Sequence, residues 1–229
     1  MKIKILSWNI WINGNMKRIY EFLKESDADI IGLQEVKDTD PKRDIIGFFK
    51  GLGYQYIFAS IRKKWGGQTH SDGPALFSRY PLRRTKIHLL SETDRRAAVQ
   101  AEIKVNGFVL HVFSTHFLHT HQQYSEIQDM QVDNLIKLLS SDRTIVMGDF
   151  NATPESSVIK KMKNMFVDSD PNSTPTWSVY PKGCEACNPQ TVDIKLDYIF
   201  TTSDLKTHSF EVGNSKASDH LPISVQVEL

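Results

Sequence analysis

Residues Thr144-Ile145-Val146-Met147 form a short apolar run, with Ser140-Ser141-Asp142 before it and Gly148-Asp149-Phe150-Asn151 behind it. A run of this length between turn signals reads as a buried strand. Thr153-Pro154-Glu155 follows and reads as a helix start, with Thr153 as N-cap and Pro154 in the first turn. A buried strand that hands over to a helix in this way implies an α/β chain. It also leaves a carboxylate and a carboxamide, Asp149 and Asn151, at a strand end, the edge where α/β folds bind ligands. Residues two apart in extended backbone point the same way, so both can face one site. Taken singly, each is more often a turn former or a cap.

The same arrangement recurs along the chain. Lys2–Ile10 alternates as a first strand and ends in Ser7-Trp8-Asn9-Ile10. Met16, Ile19, Tyr20 and Leu23 have helical spacing, giving a helix to about Glu25. Asp29–Leu33 reads as a second buried strand that delivers Gln34-Glu35. Asp40-Pro41 opens a helix with Ile45, Phe48, Phe49 and Leu52 on one face. Tyr54–Ser60 and Pro74–Ser78 read as strands, separated by a basic and aromatic loop, Arg62-Lys63-Lys64-Trp65-Gly66-Gly67, running to about Ser71. Three more strands, Leu82–Leu90, Ala97–Val105 and Phe108–Thr115, follow. Asn106-Gly107 joins the last two as a hairpin, and the third delivers His116. A long helix is expected over His121–Leu139, with Tyr124, Ile127, Leu135 and Leu138 inward. Beyond the GDFN helix, with Val158, Ile159 and Met162 on its apolar face, a long loop spans Asp168–Gln190. Loops of that length in a compact domain are usually functional. Leu196–Thr201, Lys206–Val212 and a period-two final strand after Asp219-His220 complete the chain.

Composition narrows the partners. The 229 residues carry 28 Lys+Arg against 27 Asp+Glu, a net charge of +1. That total does not advertise nucleic-acid binding, although a local basic groove can sit inside a neutral sum. No apolar run is long enough to span a bilayer, and MKIKILSWNIW lacks the features of a signal peptide. The expectation is a soluble cytoplasmic protein, monomeric, with no transmembrane segment.

Asn9, Glu35, His116, Asp149 with Asn151, and Asp219 with His220 all sit at predicted strand ends, and Asp197 interrupts an apolar strand. If they converge, Glu35, Asp149 and Asp219 supply hard oxygen ligands without sulfur, a set that favours Mg²⁺ or Mn²⁺ over zinc. Asn9 and Asn151 can orient water. His116 and His220 can hold a phosphoryl oxygen or move protons near neutral pH, and Asp197 can fix the tautomer of His220. This is equipment for metal-assisted attack of water on a phosphoester.

SWNI (Ser7–Ile10), LQE (Leu33–Glu35), FSRYP (Phe77–Pro81), STH (Ser114–His116), GDFNATP (Gly148–Pro154), TPTW (Thr174–Trp177), LDYIF (Leu196–Phe200) and SDH (Ser218–His220) occur in that order from one terminus to the other. On these stretches the chain resembles the endonuclease/exonuclease/phosphatase superfamily. Its branches include pancreatic-type deoxyribonucleases, abasic-site endonucleases, neutral sphingomyelinases, inositol-phosphate phosphatases, poly(A) deadenylases and tyrosyl-DNA phosphodiesterases. The resemblance implies a four-layer α/β sandwich, two packed, mostly antiparallel β-sheets flanked by helices, as one catalytic domain over residues 1–229. It further implies Glu35 as principal metal ligand, with Asn9 and Asp219 close to the metal. Asp149 matches the water-activating residue, supported by Asn151. His220 matches the histidine on the scissile phosphate with Asp197 as its partner, and His116 a second phosphate-site histidine. Mg²⁺ is the expected cofactor, with Mn²⁺ as a substitute.

Substrate is less sharply drawn. Abasic-site endonucleases carry a tryptophan and an arginine before the LDY-like strand, where this chain has Lys195. GDFNATP with TPTW looks more like bacterial-type phosphodiesterases and sphingomyelinase- or deadenylase-like members. The leading expectation is a nuclease or DNA-processing phosphodiesterase. The alternatives are a hydrolase of a lipid headgroup or small phosphoester and, less favoured, a non-catalytic binding module. Candidate substrate contacts are Arg96, Trp177 and Trp65, whose indole can stack on a base. Cys184-Glu-Ala-Cys187 reads as structural or incidental, or as a disulfide pinning its loop, because no second ligand pair has zinc-ribbon spacing. His119 and His121 read as surface residues and His111 as packing.

Overall fold

The computed structural model describes residues 1–65, 67–182 and 184–229, without the side chains of residues 63–65, 68 and 70. In chain order the elements are β1 (Lys2–Asn9), α1 (Met16–Glu25), β2 (Ile30–Val36), a 3₁₀ turn (Pro41–Arg43), α2 (Ile45–Gly51), β3 (Gln55–Phe58), β4 (Ile61–Trp65) and β5 (Gln68–Ser78). They continue with β6 (Leu82–Ser91), β7 (Arg96–Val105), β8 (Phe108–His116), α3 (Glu126–Ile136), β9 (Thr144–Asp149), α4 (Ser157–Lys163), β10 (Val167–Asp168), β11 (Asp197–Thr201), β12 (Lys206–Val212) and β13 (Ile223–Glu228). One sheet runs β12-β13-β1-β2-β5-β3, with β4 also paired to β5, and the other β10-β11-β9-β8-β7-β6. Among the described residues the β1–β2 and β8–β9 pairings are parallel and the rest antiparallel.

Period-two alternation sorts the strand side chains into layers. Ile3 and Ile5 of β1 share one core with Val112 of β8, Ile145 and Met147 of β9 and Ile199 of β11, so this core lies between the sheets. Leu6 and Trp8, on the opposite face of β1, pack instead with Ile19 and Leu23 of α1 and Ile45 and Phe49 of α2. Val146 of β9 and Phe113 of β8 point away from the inter-sheet core onto Val132 and Leu135 of α3 and Val158, Ile159 and Met162 of α4. Helices, sheet, sheet and helices make the four layers that the family resemblance implied.

Several local expectations are corrected. The basic stretch after Ser60 is not a loop: β4 and β5 form a hairpin, closed by the pair Trp65↔Gln68. The helix expected from Asp40 is a 3₁₀ turn capped by Asp40 and then α2 capped by Asp44, because each aspartate takes a backbone N–H of its own short segment. Leu52 falls beyond α2 and is exposed. The helix expected from His121 begins only at Glu126. His121 and Gln122 have φ of +52° and +58°, outside the helical region, and Ser125 supplies the N-cap. Tyr124, expected inward, is therefore exposed, while Gln128 and Gln131 turn inward. The helix after GDFN starts at Ser157, capped by Ser156 rather than Thr153, since Thr153 closes a turn by accepting the Ser156 N–H.

The long connection between β10 and β11 is tied down by a buried ion. Lys195 Nζ, 1% exposed, lies 3.0 Å from both Asp168 Oδ2 and Asp170 Oδ2. Burial works against the Asp170 charge, but Lys195 and the N–H groups of Asn172 and Thr174 outweigh it and hold the carboxyl below its usual range. Lys195→Ala leaves the buried Asp170 carboxylate without its cation, and Asp168 with only Lys163 at 3.6 Å, and is expected to cost about 3–5 kcal/mol in urea unfolding. The lowered Asp170 pKa contributes stability that is complete above the unfolded value of about 3.9 and lost as pH falls through the folded value. Asp170→Asn should accordingly flatten the acid limb of the stability curve. An unchanged unfolding midpoint in Lys195→Ala would contradict this account.

Candidate active site

The inter-sheet layer ends, at one edge, in polar side chains that continue its own alternation. In β1 the sequence of inward positions is Ile3, Ile5, Ser7, Asn9; in β8 it is Leu110, Val112, Ser114, His116; in β9 it is Ile145, Met147, Asp149. Asp197 precedes Ile199 with the same parity on β11 and pairs directly with Asp149. His116 is likewise registered with Asp149. Gly148 is required here. It has φ +151°, and a Cβ would sit 2.0 Å from the carbonyl oxygen of Thr115 on the neighbouring strand.

Glu35 does not follow the alternation. Ile31 and Leu33 face the helical layer, and so does Val36, so one residue is inserted between them. The β2–β5 register slips between Leu33 and Val36, a bulge of the kind that re-aims a side chain, and Glu35 takes φ +59°. Its carboxylate accepts the Ile12 N–H at 2.7 Å through Oε2 and the Asn9 amide at 3.2 Å through Oε1.

Asp149 lies at the centre, 1% exposed. Its Oδ1 accepts the Asn151 N–H at 2.8 Å. Its Oδ2 accepts Asn9 Nδ2 at 2.9 Å and Asn151 Nδ2 at 3.3 Å, and lies 3.5 Å from His116 Nε2 and 3.6 Å from His220 Nε2. Burial pushes the Asp149 carboxyl up to about 7, against the pull of His220 and with the help of Asp197. On the other side, His220 Nδ1–H donates to Asp197 Oδ2 at 2.8 Å, and Thr176 Oγ1 donates to the same oxygen at 2.6 Å. Burial disfavours the imidazolium, yet the carboxylates of Asp197, Asp149 and Asp219 outweigh it and raise the His220 pKa well above its usual value.

Asn9 links the two halves of the site, donating to Glu35 and to Asp149 while its oxygen accepts the Trp11 N–H. Asp219 accepts the Trp177 indole N–H at 3.3 Å. Burial, then the charges of Asp219 and Asp72, push the Glu35 carboxyl up. Carboxylates crowded together at a partly buried edge are a donor set for a hard divalent cation, so Glu35 and Asp219 fit such an ion. Asp149, Asp197 and His220 also lie within reach of one ion. Asp197 Oδ2 is already engaged by His220 and Thr176, however, so this carboxylate works as the hydrogen-bond partner of His220.

Of the expected substrate contacts, Arg96 lines a narrow cleft with Asp72 and His116, where it feels the carboxylates of Asp72, Glu35 and Asp149. Trp177 is 4% exposed and packs against His220 and His119, forming a wall rather than an open platform. The side chain of Trp65 lies outside the described residues. Sequence reasoning passed over Thr176 as a partner of Asp197, although it stands in the quoted TPTW stretch. It also passed over Asp72, and over His119, whose Nδ1 lies 2.8 Å from Asn151 Oδ1. His119 and His121, read as surface residues, are half-buried and exposed respectively, and both lie beside Cys184 and Cys187, because two connections separated by more than sixty residues fold onto each other.

The sequence profile of the Endonuclease/Exonuclease/phosphatase family matches residues 6–220. Among solved structures, an endonuclease/exonuclease/phosphatase from Bacteroides vulgatus superposes with a TM-score of 0.81 at 20% identity, covering 100% of this chain and 99% of that one. One from Beutenbergia cavernae superposes at 0.79 and 18% identity, covering 100% of this chain and 72% of that one. ANGEL2, described as a 2′,3′-cyclic phosphatase and bound to adenosine-2′,3′-vanadate, superposes at 0.74 and 16% identity over 99% of this chain and 95% of its own. These likenesses establish the fold. No curated protein matches the sequence. No helix among the described residues is long and apolar enough to cross a membrane.

Proposed function

The chain belongs to the endonuclease/exonuclease/phosphatase family, a family of phosphoester hydrolases, and from that premise we propose that it is a Mg²⁺-dependent phosphodiesterase acting on nucleic acid. The observation that carries the reading is the surroundings of Asp149 Oδ2, which has two carboxamides and two imidazoles around it. A buried carboxyl raised to about 7 is poised as a base near neutral pH. In this reading Asp149 takes the proton of the attacking water. Asn151 and Asn9 hold the carboxylate in position with their amide N–H groups.

His220 carries its positive charge on the strength of Asp197, Asp149 and Asp219, and it and His116 donate Nε2–H to the non-bridging oxygens of the phosphate. Thr176 keeps Asp197 aligned with His220. Glu35 and Asp219 are the residues that would hold Mg²⁺, whose charge would polarise the phosphoryl group and stabilise the leaving oxygen. Arg96 lies within electrostatic reach of Glu35 and Asp149 and serves as a phosphate contact.

The likeness to ANGEL2 supports a nucleic-acid terminus as one form of substrate. The near-neutral net charge keeps a lipid or small phosphoester as the second reading. A panel of single- and double-stranded DNA, abasic DNA, RNA ending in a 2′,3′-cyclic phosphate, and a lipid phosphodiester separates them. Hydrolysis of one of the nucleic acids is expected with Mg²⁺ or Mn²⁺ and not with chelator, with binding that weakens steeply as salt rises, because phosphate contacts release counterions. Faster hydrolysis of the lipid diester would overturn the substrate assignment. Failure on every substrate with metal present would overturn the hydrolase.

A further inference from the structure

Two short motifs outside the proposed catalytic centre converge beside it. His119 and His121 lie on the connection from β8 to α3, and Cys184 and Cys187 on the long connection from β10 to β11. One ligand atom from each lies within 4.8 Å of all the others. We propose that, in the reduced protein, His119 Nε2, His121 Nδ1, Cys184 Sγ and Cys187 Sγ bind one zinc ion. The ion clamps the cysteine-bearing loop against the active site.

Five of the six edges of the cluster have the right size, and the sixth, between the two sulfurs, opens only on reduction. The two imidazole nitrogens are 3.1 Å apart. The nitrogen–sulfur separations are 3.2 and 3.3 Å from His121 and 3.5 and 3.9 Å from His119. With Zn–N near 2.0–2.1 Å and Zn–S near 2.3 Å, a tetrahedral site has N···N of about 3.3 Å and N···S of about 3.5 Å. Two thiolates and two imidazoles are a soft set that selects zinc over the hard cation expected at Glu35.

The tautomer of His119 is also set for a metal. Asn151 Nδ2 faces two acceptors, the Phe117 carbonyl at 3.0 Å and Asp149 Oδ2 at 3.3 Å. Its oxygen therefore faces His119, and His119 Nδ1 must donate to it. That leaves the lone pair on Nε2, which points at Cys184, Cys187 and His121. Metal-bound histidines make this kind of outer hydrogen bond as a rule. The Cys187 N–H donates to Cys184 Sγ at 3.2 Å, a contact that stabilises a thiolate. The zinc site is thereby joined through His119 and Asn151 to Asp149.

In the oxidised form Cys184 and Cys187 are bonded to each other and offer no thiolate. A dithiol reductant breaks that bond by supplying two electrons and two protons, and itself becomes a disulfide. The two thiols then release their protons as the sulfurs bind zinc.

The test uses the full chain, purified with a dithiol and titrated with Co²⁺ and then Zn²⁺. Wild type is expected to bind one Co²⁺ with the visible bands of tetrahedral cobalt and a thiolate-to-cobalt charge-transfer band, both erased by Zn²⁺. Zinc should also slow alkylation of both cysteines. A Cys184→Ser/Cys187→Ser double variant should lose the bands while its far-ultraviolet circular dichroism stays native. Glu35→Gln, altered in the Mg²⁺ site, should keep them, which separates this inference from the hydrolase reading. A reduced wild type that binds no more Co²⁺ than the double variant, or whose spectrum lacks the charge-transfer band, would overturn it.

Discussion

Asp149→Asn is expected to lower kcat by about 10³-fold, the middle of the range for loss of a positioned general base. The substitution changes almost nothing in volume, but it reverses the polarity of one atom. Asp149 Oδ2 accepts from Asn9 and Asn151 and lies near the Nε2 atoms of two histidines. An amide nitrogen at that position can take no proton from water, and it turns a donor toward donors. The pH profile supplies a second readout. The base works only when ionised, so wild-type kcat/KM should rise with pH along a limb at or below about 7, the value set by burial of Asp149; a bound cation moves the limb lower. The variant should lose that limb. Because the site also helps to order the β9 edge, thermal melting should accompany the kinetics. A folded Asp149→Asn protein with wild-type kcat would remove Asp149 from the mechanism.

Glu35→Gln is expected to cost on the order of 10³-fold in turnover at low Mg²⁺, since a Lewis-acid ion contributes several kcal/mol to a phosphoryl transition state and each 1.4 kcal/mol is tenfold. The side chain keeps its shape and can still accept the Ile12 N–H that now holds Oε2. What it loses is the charge. Burial and the nearby carboxylates of Asp219 and Asp72 already push Glu35 up, so its ionised form is costly without a cation and favours binding one. Raising Mg²⁺ should recover part of the activity in Glu35→Gln but none in Asp149→Asn. Equal Mg²⁺ dependence in Glu35→Gln and wild type would place the ion elsewhere.

Much of the active site is legible in the alternation of short strands. Asn9, His116 and Asp149 each end a row that starts apolar, at Ile3 and Ile5, Leu110 and Val112, and Ile145 and Met147 respectively, with the small buried Ser7 and Ser114 completing the first two, and that faces the opposite sheet. Once a strand is recognised and its buried face assigned, the direction of the residue at its end follows from the pleat. The four-layer order is what the family resemblance implies, and the strand pattern agrees with it. Alternate residues of β1 and β9 are apolar on both faces, which requires cover on both sides. Capped helices are harder to read. Thr153-Pro154 has the composition of a helix start, yet Ser156 is the cap, because the choice between two nearby hydroxyls is made by the turn that leaves Asp149.

Long-range pairings were beyond the sequence. Glu35 breaks the alternation of β2, and only the bulge opposite β5 turns it toward Asn9 and Asp149. Its direction depends on a partner strand some forty residues away. Thr176 reaches Asp197, and His119 and His121 reach Cys184 and Cys187, because irregular connections fold over the sheet edge. Such segments have no period from which a side chain's direction can be inferred. The sequence by itself determined the strand ends and the chemical types gathered there, since these depend on local pattern and on which face is apolar, and its family resemblance implied the layers. The tertiary structure alone decided which carboxylate would be turned into the site by a bulge, and which two loops would bring a pair of histidines to a pair of cysteines. Those contacts are set by register and loop closure between distant segments, which leave no local trace.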